Sequence, residues 1–198
     1  METYTTASEN TDENILIRSA KAEDFERIKQ LAELRFGIGY LDRQEFDAWL
    51  RDPDFFLVAE VDGRFAGYAY HRPESVEELA SYMKLDPAYV RQVSGGRPVI
   101  HCRSAALAPE FEHRGLMQKI VAQLEETAGR EGFGAEFAPA WKYGEAVPMR
   151  KNLLARGYTE LCEREKLWYD QENYRCVICG GRCRCTAVIF QRIFPQNN

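Results

Sequence analysis

The chain has 198 residues, of which 45% are hydrophobic and 29% are charged. This length and balance fit one ordinary globular domain with a sizeable core. The formal net charge of −5 at pH 7, without a long basic run, argues against nucleic acid as a partner. No apolar run approaches the roughly 18 residues that a membrane-spanning helix needs, so we expect no membrane partner.

The first stretch, residues 1–13, is polar and acidic and lacks the apolar segment of a secretory signal. We expect a disordered tail there, followed by a single domain over residues 14–198. Free thiols persist in reducing compartments, so the six cysteines and the lack of a signal predict a cytoplasmic protein.

The first half of the chain predicts a strand, two amphipathic helices and a β-hairpin, over residues 15–18, 22–36, 40–50 and 55–71. The Asp62-Gly63 pair between two β-rich runs favours a tight type I′ turn. A longer connection, residues 73–97, contains one helical pattern at 77–83 and a helix start at Asp86-Pro87. We interpret it as an insertion that packs on the sheet, covers an acceptor site or contacts a second copy.

The second half predicts strands at residues 99–108, 135–141, 158–169 and 184–194, with helices at residues 116–131 and 145–156. An antiparallel start followed by strand–helix–strand units implies a mixed α/β sheet with helices on both faces.

The segment from Pro109 to Gly115 joins the strand at 99–108 to the helix at 116–131. A strand that turns sharply into a helix leaves the first helical amides without partners, and these amides form an anion site. Gly115 lets the backbone approach a bound group closely. On spacing alone, an ordinary crossover loop explains the segment equally well.

This stretch resembles motif A of the GNAT superfamily of acetyl-CoA-dependent N-acyltransferases, which reads strand, Pro-Glu-Tyr-Gln/Arg-x-x-Gly-x-Gly/Ala, helix. Pro109 to Phe111 take the Pro-Glu-Tyr places, and Gly115 takes the place of the first glycine. Glu112 stands where Gln or Arg is usual, and Met117 stands where Gly or Ala is usual. The order of predicted elements supports the resemblance over residues 15–194.

The resemblance implies a GNAT-like, mostly antiparallel central sheet whose fourth and fifth strands splay apart, so that the pantetheine arm of acetyl-CoA enters between them. It assigns the amides around Ala106 and Leu107 to the pantetheine arm and to the thioester carbonyl. It assigns the pyrophosphate to the loop and helix start, which comprise Glu112, His113, Arg114, Gly115, Leu116 and Met117.

Two residues are candidates for the base that deprotonates the acceptor amine. His101 lies six residues before Leu107, where some histone-acetyltransferase-like members carry a glutamate base, and histidine titrates near neutrality. Glu136 lies on the adjacent predicted strand. Each also has a purely structural interpretation, as a core histidine or a solvated carboxylate, and His71 is a weaker third candidate.

Many family members protonate the leaving thiolate with a tyrosine on the last helix. Leu153 occupies that place here. Tyr143 is a weak substitute, and a CoA thiolate leaves tolerably without an acid.

Four of the six cysteines form the pattern C-x2-C-x3-C-x-C within a predicted hairpin loop at residues 174–186. They are Cys176, Cys179, Cys183 and Cys185. The pattern indicates a structural zinc site, with disulfide or redox chemistry and inert thiols as alternatives. Cys102 and Cys162 fall in strands and are expected to be small buried hydrophobes.

The sequence thus predicts an acetyl-CoA-dependent N-acetyltransferase that acts on a primary amine of an unidentified small molecule or protein. Acidic residues hint at a cationic acceptor such as a polyamine, although a solvated helix face explains them as well: Asp42, Glu45, Glu74, Glu77 and Glu78. The alternatives are a non-catalytic acyl-CoA-binding or sensor module with a zinc hairpin, and a zinc-ribbon interaction protein without CoA affinity. The sequence leaves open whether the protein forms a homodimer.

Overall fold

A computed structural model describes residues 13–195 of the chain. In chain order its elements are β1 (Ile15–Ser19), α1 (Phe25–Arg35), β2 (Gly37–Ile38), α2 (Arg43–Trp49), β3 (Phe56–Val61), β4 (Arg64–Glu74), α3 (Val76–Met83), α4 (Pro87–Ser94), β5 (Val99–Leu107), α5 (Leu116–Arg130), β6 (Ala135–Lys142), α6 (Arg150–Ala155), β7 (Thr159–Arg164), β8 (Arg175–Cys176) and β9 (Thr186–Ile193). The predicted disordered tail lies almost wholly outside the described residues.

Seven strands form one sheet in the order β1-β3-β4-β5-β6-β9-β7. Every neighbouring pair is antiparallel except β5 and β6, which run parallel and pair only over Val99–His101 and Ala135–Phe137. Beyond these residues the two strands separate, as the predicted fold class requires. The mostly antiparallel mixed sheet is therefore confirmed.

An irregularity in β5 lies at the point of separation. Tyr70 pairs with Ser104 while His71 pairs with Cys102, so Arg103 is an extra residue in β5. A bulge of this kind bends a strand and increases its twist. The bend turns the second half of β5 away from β6.

Helices cover both faces of the sheet. On one face, α1 to α4 pack against a core that contains Ile28, Phe46, Leu79 and Val90, each fully buried. On the other face, α5 packs against β3, β4 and β5 through residues such as Ile120, and α6 packs beside β6 and β9. Both faces supply apolar burial, which is the dominant favourable contribution to folding.

The predicted hairpin and insertion have the expected local structure. Asp62 and Gly63 both have positive φ, at 50° and 74°, which a type I′ turn requires. In the insertion, the side chains of Ser75 and Asp86 cap the N-termini of α3 and α4 by accepting backbone N–H bonds. Leu79 and Met83 are fully buried, so the insertion packs on the sheet.

Two predicted boundaries are wrong by five residues. The helix expected from residue 145 begins only at Arg150, because Tyr143 and Ala146 exchange two backbone hydrogen bonds in a tight turn. The strand expected to reach residue 169 ends at Arg164, and the chain then turns at Lys166, whose φ is 52°. Among the described residues, no helix has the length and apolar character needed to cross a membrane.

Candidate active site between two separating strands

A cavity of about 540 Å³ opens where β5 and β6 separate. Residues from both faces of the sheet line it, so it connects the α1–α2 side with the α5–α6 side. Beyond His101, no strand within residues 13–195 pairs with the β6-facing edge of β5, which leaves backbone N–H and C=O groups along this wall. An extended ligand can pair with such an edge as an added strand would.

The two residues predicted to hold the pantetheine arm lie on opposite sides of β5. Leu107 lines the cavity, together with Ala105. Ala106 is buried in the core on the α1 side, so its side chain does not face the cavity. The predicted role uses backbone amides and stays a prediction for both residues.

The predicted phosphate loop forms one end of the cavity. Gly115 is the N-cap of the 15-residue helix α5 and has φ 74°, and His113 has φ 59°. A non-glycine residue in this left-handed region is strained, and such residues cluster at functional sites. The free amides of the first α5 turn and the positive end of the helix dipole meet at this loop.

Most of the predicted loop residues line the cavity, namely Glu112, His113, Gly115, Leu116 and Met117. Arg114 does not, because its guanidinium lies 2.6 Å from the Glu13 carboxylate and over the Phe111 ring. The Cβ of a residue at position 115 would meet no atom within 4 Å. The space beside Gly115 is therefore open to a ligand.

Glu112, which departs from the family motif, is neutralised by an arginine. Arg35 at the end of α1 forms an ion pair with the Glu112 carboxylate. The same guanidinium donates to the Leu107 carbonyl oxygen at 2.8 and 3.1 Å. The carboxylate therefore does not present an uncompensated negative charge to an anion in the loop.

Four polar side chains from four strands or strand ends meet at the apex where β5 and β6 part. We call His71, Cys102, Glu136 and Tyr158 the apex cluster. The His71 Nδ1 lies 2.6 Å from the Glu136 carboxylate, the Cys102 thiol donates to that carboxylate at 3.2 Å, and the Cys102 Sγ lies 3.6 Å from the Tyr158 hydroxyl. His71, Cys102 and Tyr158 line the cavity, whereas Glu136 lies behind them.

Burial and contacts set the charge states of the apex cluster. Burial alone would raise the pKa of Glu136, but its contacts with His71, Tyr158 and Cys102 together outweigh burial and lower that pKa. Burial raises the pKa values of Cys102 and Tyr158 well above their usual ranges. The cluster thus holds one carboxylate beside a neutral thiol and a neutral phenol.

His101, one of the two predicted bases, is fully buried and does not line the cavity. Its Nδ1 lies 3.2 Å from the Glu74 carboxylate, and its ring packs against Tyr82 with centroids 4.7 Å apart. Burial lowers the pKa of His101 to about 4 although Glu74 opposes that shift. The ring is therefore neutral near pH 7 and a weak base.

Sequence reasoning missed Tyr158, which lines the cavity. It lies beside the place of the usual acid, because its backbone amide donates to the Leu153 carbonyl oxygen. Leu153 lines the cavity and has no hydroxyl. Tyr143 is 64% exposed and lies outside the cavity. Tyr158 is only 3% exposed, and its only sequence signal was its place directly after Gly157.

On the α1–α2 side, aromatic side chains surround the cavity. We call Phe36, Tyr40, Trp141, Trp168 and Tyr174 the aromatic wall, and all five line the cavity. The ring centroids of neighbouring pairs lie between 4.4 and 6.0 Å apart, a range typical of stabilising aromatic contacts.

The acidic residues that hinted at a cationic acceptor are engaged elsewhere, and none of them lines the cavity. Asp42 and Glu78 cap helices, Glu77 pairs with Arg91, and Glu74 contacts His101 and Arg72. Glu45 pairs at 2.7 Å with the guanidinium of Arg103. Helix capping and ion pairing therefore explain these carboxylates.

The four cysteines predicted to bind metal lie together in the loop between β7 and β9. Their sulfur atoms all lie within 4.8 Å of one another, and no pair is bonded. The Cys185 sulfur is 3.8 Å from that of Cys176 and 3.5 Å from that of Cys179. Four thiolates around zinc, each about 2.3 Å from the metal, would be about 3.8 Å apart, so the arrangement fits a tetrahedral ion.

The cysteine loop is attached to the turn that follows α1. Strand β8 pairs with β2, and the Phe36 carbonyl oxygen accepts bonds of 2.9 Å from the Val177 amide and the Tyr174 hydroxyl. A Cβ at position 37 would lie 1.9 Å from the Arg175 carbonyl oxygen, and one at position 39 would lie 2.3 Å from that of Asn173. Only glycine permits this approach.

Comparison with known proteins places this architecture in a family. The Acetyltransferase (GNAT) family profile matches residues 18–142, and the chain belongs to that family. The members of this family are acetyltransferases. The structure of Arabidopsis thaliana Naa50 with the bisubstrate analogue CoA-Ac-MVNAL superimposes with a TM-score of 0.67 at 10% identity, over 91% of this chain and 99% of that one.

Two further similar proteins carry names that indicate different activities. An agmatine N-acetyltransferase in its apo form superimposes with a TM-score of 0.63 at 12% identity, over 91% of this chain and 100% of that one. A curated protein named guanylate kinase, from Rubrobacter xylanophilus, is 29% identical over 112 residues. That alignment covers 49% of this chain and 58% of the relative, so the chain matches little more than half of that protein.

Proposed function

We propose that this protein transfers the acetyl group of acetyl-CoA to a primary amine of a small molecule or a protein. One observation carries the proposal: a single cavity joins the phosphate loop and the free edge of β5 to an aromatic wall on the opposite face. The pyrophosphate would bind the amides at Gly115, and the pantetheine arm would lie along β5. The thioester would then reach the apex cluster.

The aromatic wall supports an acceptor whose amine carries an apolar or aromatic group. Flat aromatic surfaces favour such groups, and they also tolerate a cationic amine before it loses its proton. The structural relatives include one protein bound to a peptide-containing analogue and one named for agmatine. Both a peptide N-terminus and a small amine therefore stay within the proposal.

In the proposed reaction, the amine nitrogen forms a bond to the thioester carbonyl carbon, and the carbon–sulfur bond then breaks. One proton leaves the nitrogen and one proton reaches the CoA sulfur. The apex cluster offers a continuous path for this exchange. His71, held by Glu136, accepts the amine proton through a water, and Tyr158 gives a proton to the thiolate.

Of the two bases that the sequence suggested, the geometry favours Glu136 in the role of positioning His71. His101 has no cavity surface and a lowered pKa, so we assign it a structural role. Direct transfer is favoured over an acetyl-cysteine intermediate, because the raised pKa of Cys102 keeps its sulfur a poor nucleophile.

The other readings have less support. Family membership leaves no ground for a zinc-ribbon interaction protein. The sequence contains no Gly-Lys pair, which the phosphate loop of P-loop kinases needs, so we do not propose nucleotide phosphorylation. The hypothesis of a non-catalytic acyl-CoA sensor rests on Leu153 in the acid's place, on Glu112 and Met117 in the motif, and on the added cysteine cluster. We propose that Tyr158 supplies the missing acid, and Arg35 compensates the charge of Glu112. We propose zinc as a structural component, supported by the spacing of the four sulfur atoms.

A panel of amines with detection of free CoA tests the proposal. The panel contains phenethylamine, tyramine, spermidine, agmatine and short peptides with apolar first residues. We expect turnover that depends on acetyl-CoA, is highest with an apolar group near the amine, and falls in His71→Ala and Glu136→Gln but not in His101→Gln. Acetyl-CoA binding without turnover of any amine would favour the hypothesis of a non-catalytic acyl-CoA sensor.

A further inference from the structure

We propose that the four cysteines bind one Zn²⁺ ion, and that this metal site builds the aromatic wall and so controls the binding of the acceptor but not of acetyl-CoA. The statement about the acceptor rests on the proposed acetyl transfer. The statement about the metal and the loop stands independently of that reaction.

The proposal of a metal site follows from four sulfur atoms in one small volume, three of them on buried cysteines and the fourth on the partly exposed Cys179. Cys176 and Cys183 are at most 1% exposed and Cys185 is 7% exposed, and sulfur makes only weak hydrogen bonds that cannot by themselves justify the clustering. The Arg184 amide donates to the Cys179 sulfur at 3.3 Å, as outer-shell donors do for metal-bound thiolates. Four protein ligands complete a tetrahedron, so the site is closed and structural.

The charge and spacing of the loop favour a metal over disulfides. A disulfide needs sulfur atoms about 2.05 Å apart, whereas the Cys179 and Cys185 sulfur atoms lie 3.5 Å apart and all four cysteines are free. Four thiolates with one Zn²⁺ would carry a net charge of −2, and Arg175, Arg182 and Arg184 alternate with the ligands along the chain. These cations reduce the electrostatic cost of the site.

The same loop carries two members of the aromatic wall. Tyr174 lies two residues before the ligand Cys176, and both Tyr174 and Trp168 share a buried core with the cysteines. The Tyr174 ring contacts Tyr40 at 5.7 Å between centroids, and its hydroxyl donates to the Phe36 carbonyl oxygen. Without a metal, the four thiols would no longer hold the loop together, and the aromatic wall would lose this support.

The acetyl-CoA side is built from other parts of the chain. The phosphate loop depends on β5, the α5 N-terminus and the Arg35–Glu112 pair. Within residues 13–195, no hydrogen bond or ion pair joins residues 165–185 to residues 112–118. Loss of the metal should therefore loosen the acceptor wall and leave the cofactor site in place.

The first experiment measures zinc per chain in the purified, reduced full-length protein by elemental analysis, with Cys179→Ser, Cys183→Ser and Cys162→Ser as variants. Cys162 lies in β7 outside the cluster, so its variant is the matched control. We expect one zinc per chain in wild type and Cys162→Ser, and at most a small fraction in the cluster variants. If wild-type protein holds no zinc and gains no tetrahedral thiolate absorption with Co²⁺, the metal site is refuted.

The second experiment compares wild-type protein before and after chelation and after zinc is restored, which avoids dependence on the folding of any variant. Hydrogen exchange should accelerate by about tenfold or more at the amides of residues 36–40 and 174–177 in the metal-free protein. The acetyl-CoA Kd should change by less than about twofold. The KM for the best amine should rise by about tenfold, the size expected for loss of one or two aromatic contacts.

Unchanged exchange and unchanged KM in zinc-free protein would overturn the coupling while leaving the acetyltransferase function intact. Absent acetyl-CoA binding in zinc-loaded protein would instead contradict the proposed function. In that case, hydrogen exchange at the aromatic wall still tests whether the metal site holds the cysteine loop in place.

Discussion

Arg35 joins helix α1 to the phosphate loop, because its guanidinium binds both the Leu107 carbonyl oxygen and the Glu112 carboxylate. Leu107 ends β5 and Glu112 begins the turn into α5, so one side chain connects three elements around the end of the cavity that we propose for the cofactor. This contact explains how an acidic residue can stand in a loop that is expected to bind a pyrophosphate. The negative charge of Glu112 is matched before any ligand arrives.

The Arg35–Glu112 ion pair predicts that a second substitution restores the acetyl-CoA affinity that the first one lowers. Arg35→Gln should weaken acetyl-CoA binding about tenfold, because it leaves the Glu112 charge unpaired beside the bound phosphates. Adding Glu112→Gln should restore most of the affinity. Isothermal titration of the single and double variants measures the coupling, and Arg43→Gln on the surface of α2 is the control. Equal losses in the single and double variants would show that Arg35 acts only by holding β5.

Tyr158→Phe should lower kcat about a hundredfold while leaving the acetyl-CoA Kd within about twofold of wild type, because it removes the proton donor but not the ring. Tyr143→Phe, at an exposed tyrosine, should retain wild-type kcat. Steady-state kinetics with the best amine of the panel measures both. Wild-type kcat in Tyr158→Phe would remove this hydroxyl from the reaction.

His101 should make the protein sensitive to acid. Burial lowers its pKa from the usual 6.5 to about 4, so the unfolded chain takes up a proton at a higher pH than the folded protein. The free energy of unfolding that depends on neutral His101 is fully present above pH 6.5 and is lost as the pH falls towards 4. The shift corresponds to about 3 kcal/mol of unfolding free energy across this window.

Urea denaturation at several pH values measures the His101 contribution. His101→Gln keeps a donor for Glu74 but does not titrate, so its unfolding free energy should depend less steeply on pH between 6.5 and 4. His113→Gln replaces an exposed histidine and should retain the wild-type dependence. A wild-type slope in His101→Gln would contradict the lowered pKa.

The sequence was sufficient for the parts of the molecule that local patterns encode. Alternation, helical periodicity and the Asp62-Gly63 turn identified the main strands and helices, and the resemblance of Pro109 to Gly115 to motif A predicted a phosphate loop before α5. These features depend on neighbours along the chain, so a single sequence displays them directly.

The features that the sequence did not predict depend on residues that are far apart along the chain. The apex cluster brings together side chains from β4, β5, β6 and the start of β7, and no spacing rule relates position 71 to position 158. The extra residue Arg103 in β5 has no composition signal, because a bulge is defined by its partner strand. Gly37 and Gly39 admit the backbone of residues 173–175, and this partner lies too far along the chain for a local pattern to reveal it.

Gly37→Ala should therefore be costly. The new methyl group would lie 1.9 Å from the Arg175 carbonyl oxygen at a φ of 128°, so either β8 moves or the turn unfolds locally. We expect a loss of about 2–4 kcal/mol in unfolding free energy and a higher KM for the amine. Gly63→Ala is the control, since its Cβ would meet nothing within 4 Å and only the strain of positive φ remains. Equal stability of the two variants would contradict the close approach of β8.

Calorimetric titration of acetyl-CoA into wild type, Gly115→Trp and Gly132→Trp tests the central claim most directly. Gly115 and Gly132 lie beyond opposite ends of α5, with φ of 74° and 80° and open space beside both, so the two variants carry matched strain and bulk. We predict micromolar binding in wild type and Gly132→Trp and loss of binding in Gly115→Trp, because the indole fills the place of the pyrophosphate. Absence of binding by folded wild-type protein, or equal affinity in all three, would contradict a cofactor site between β5 and β6.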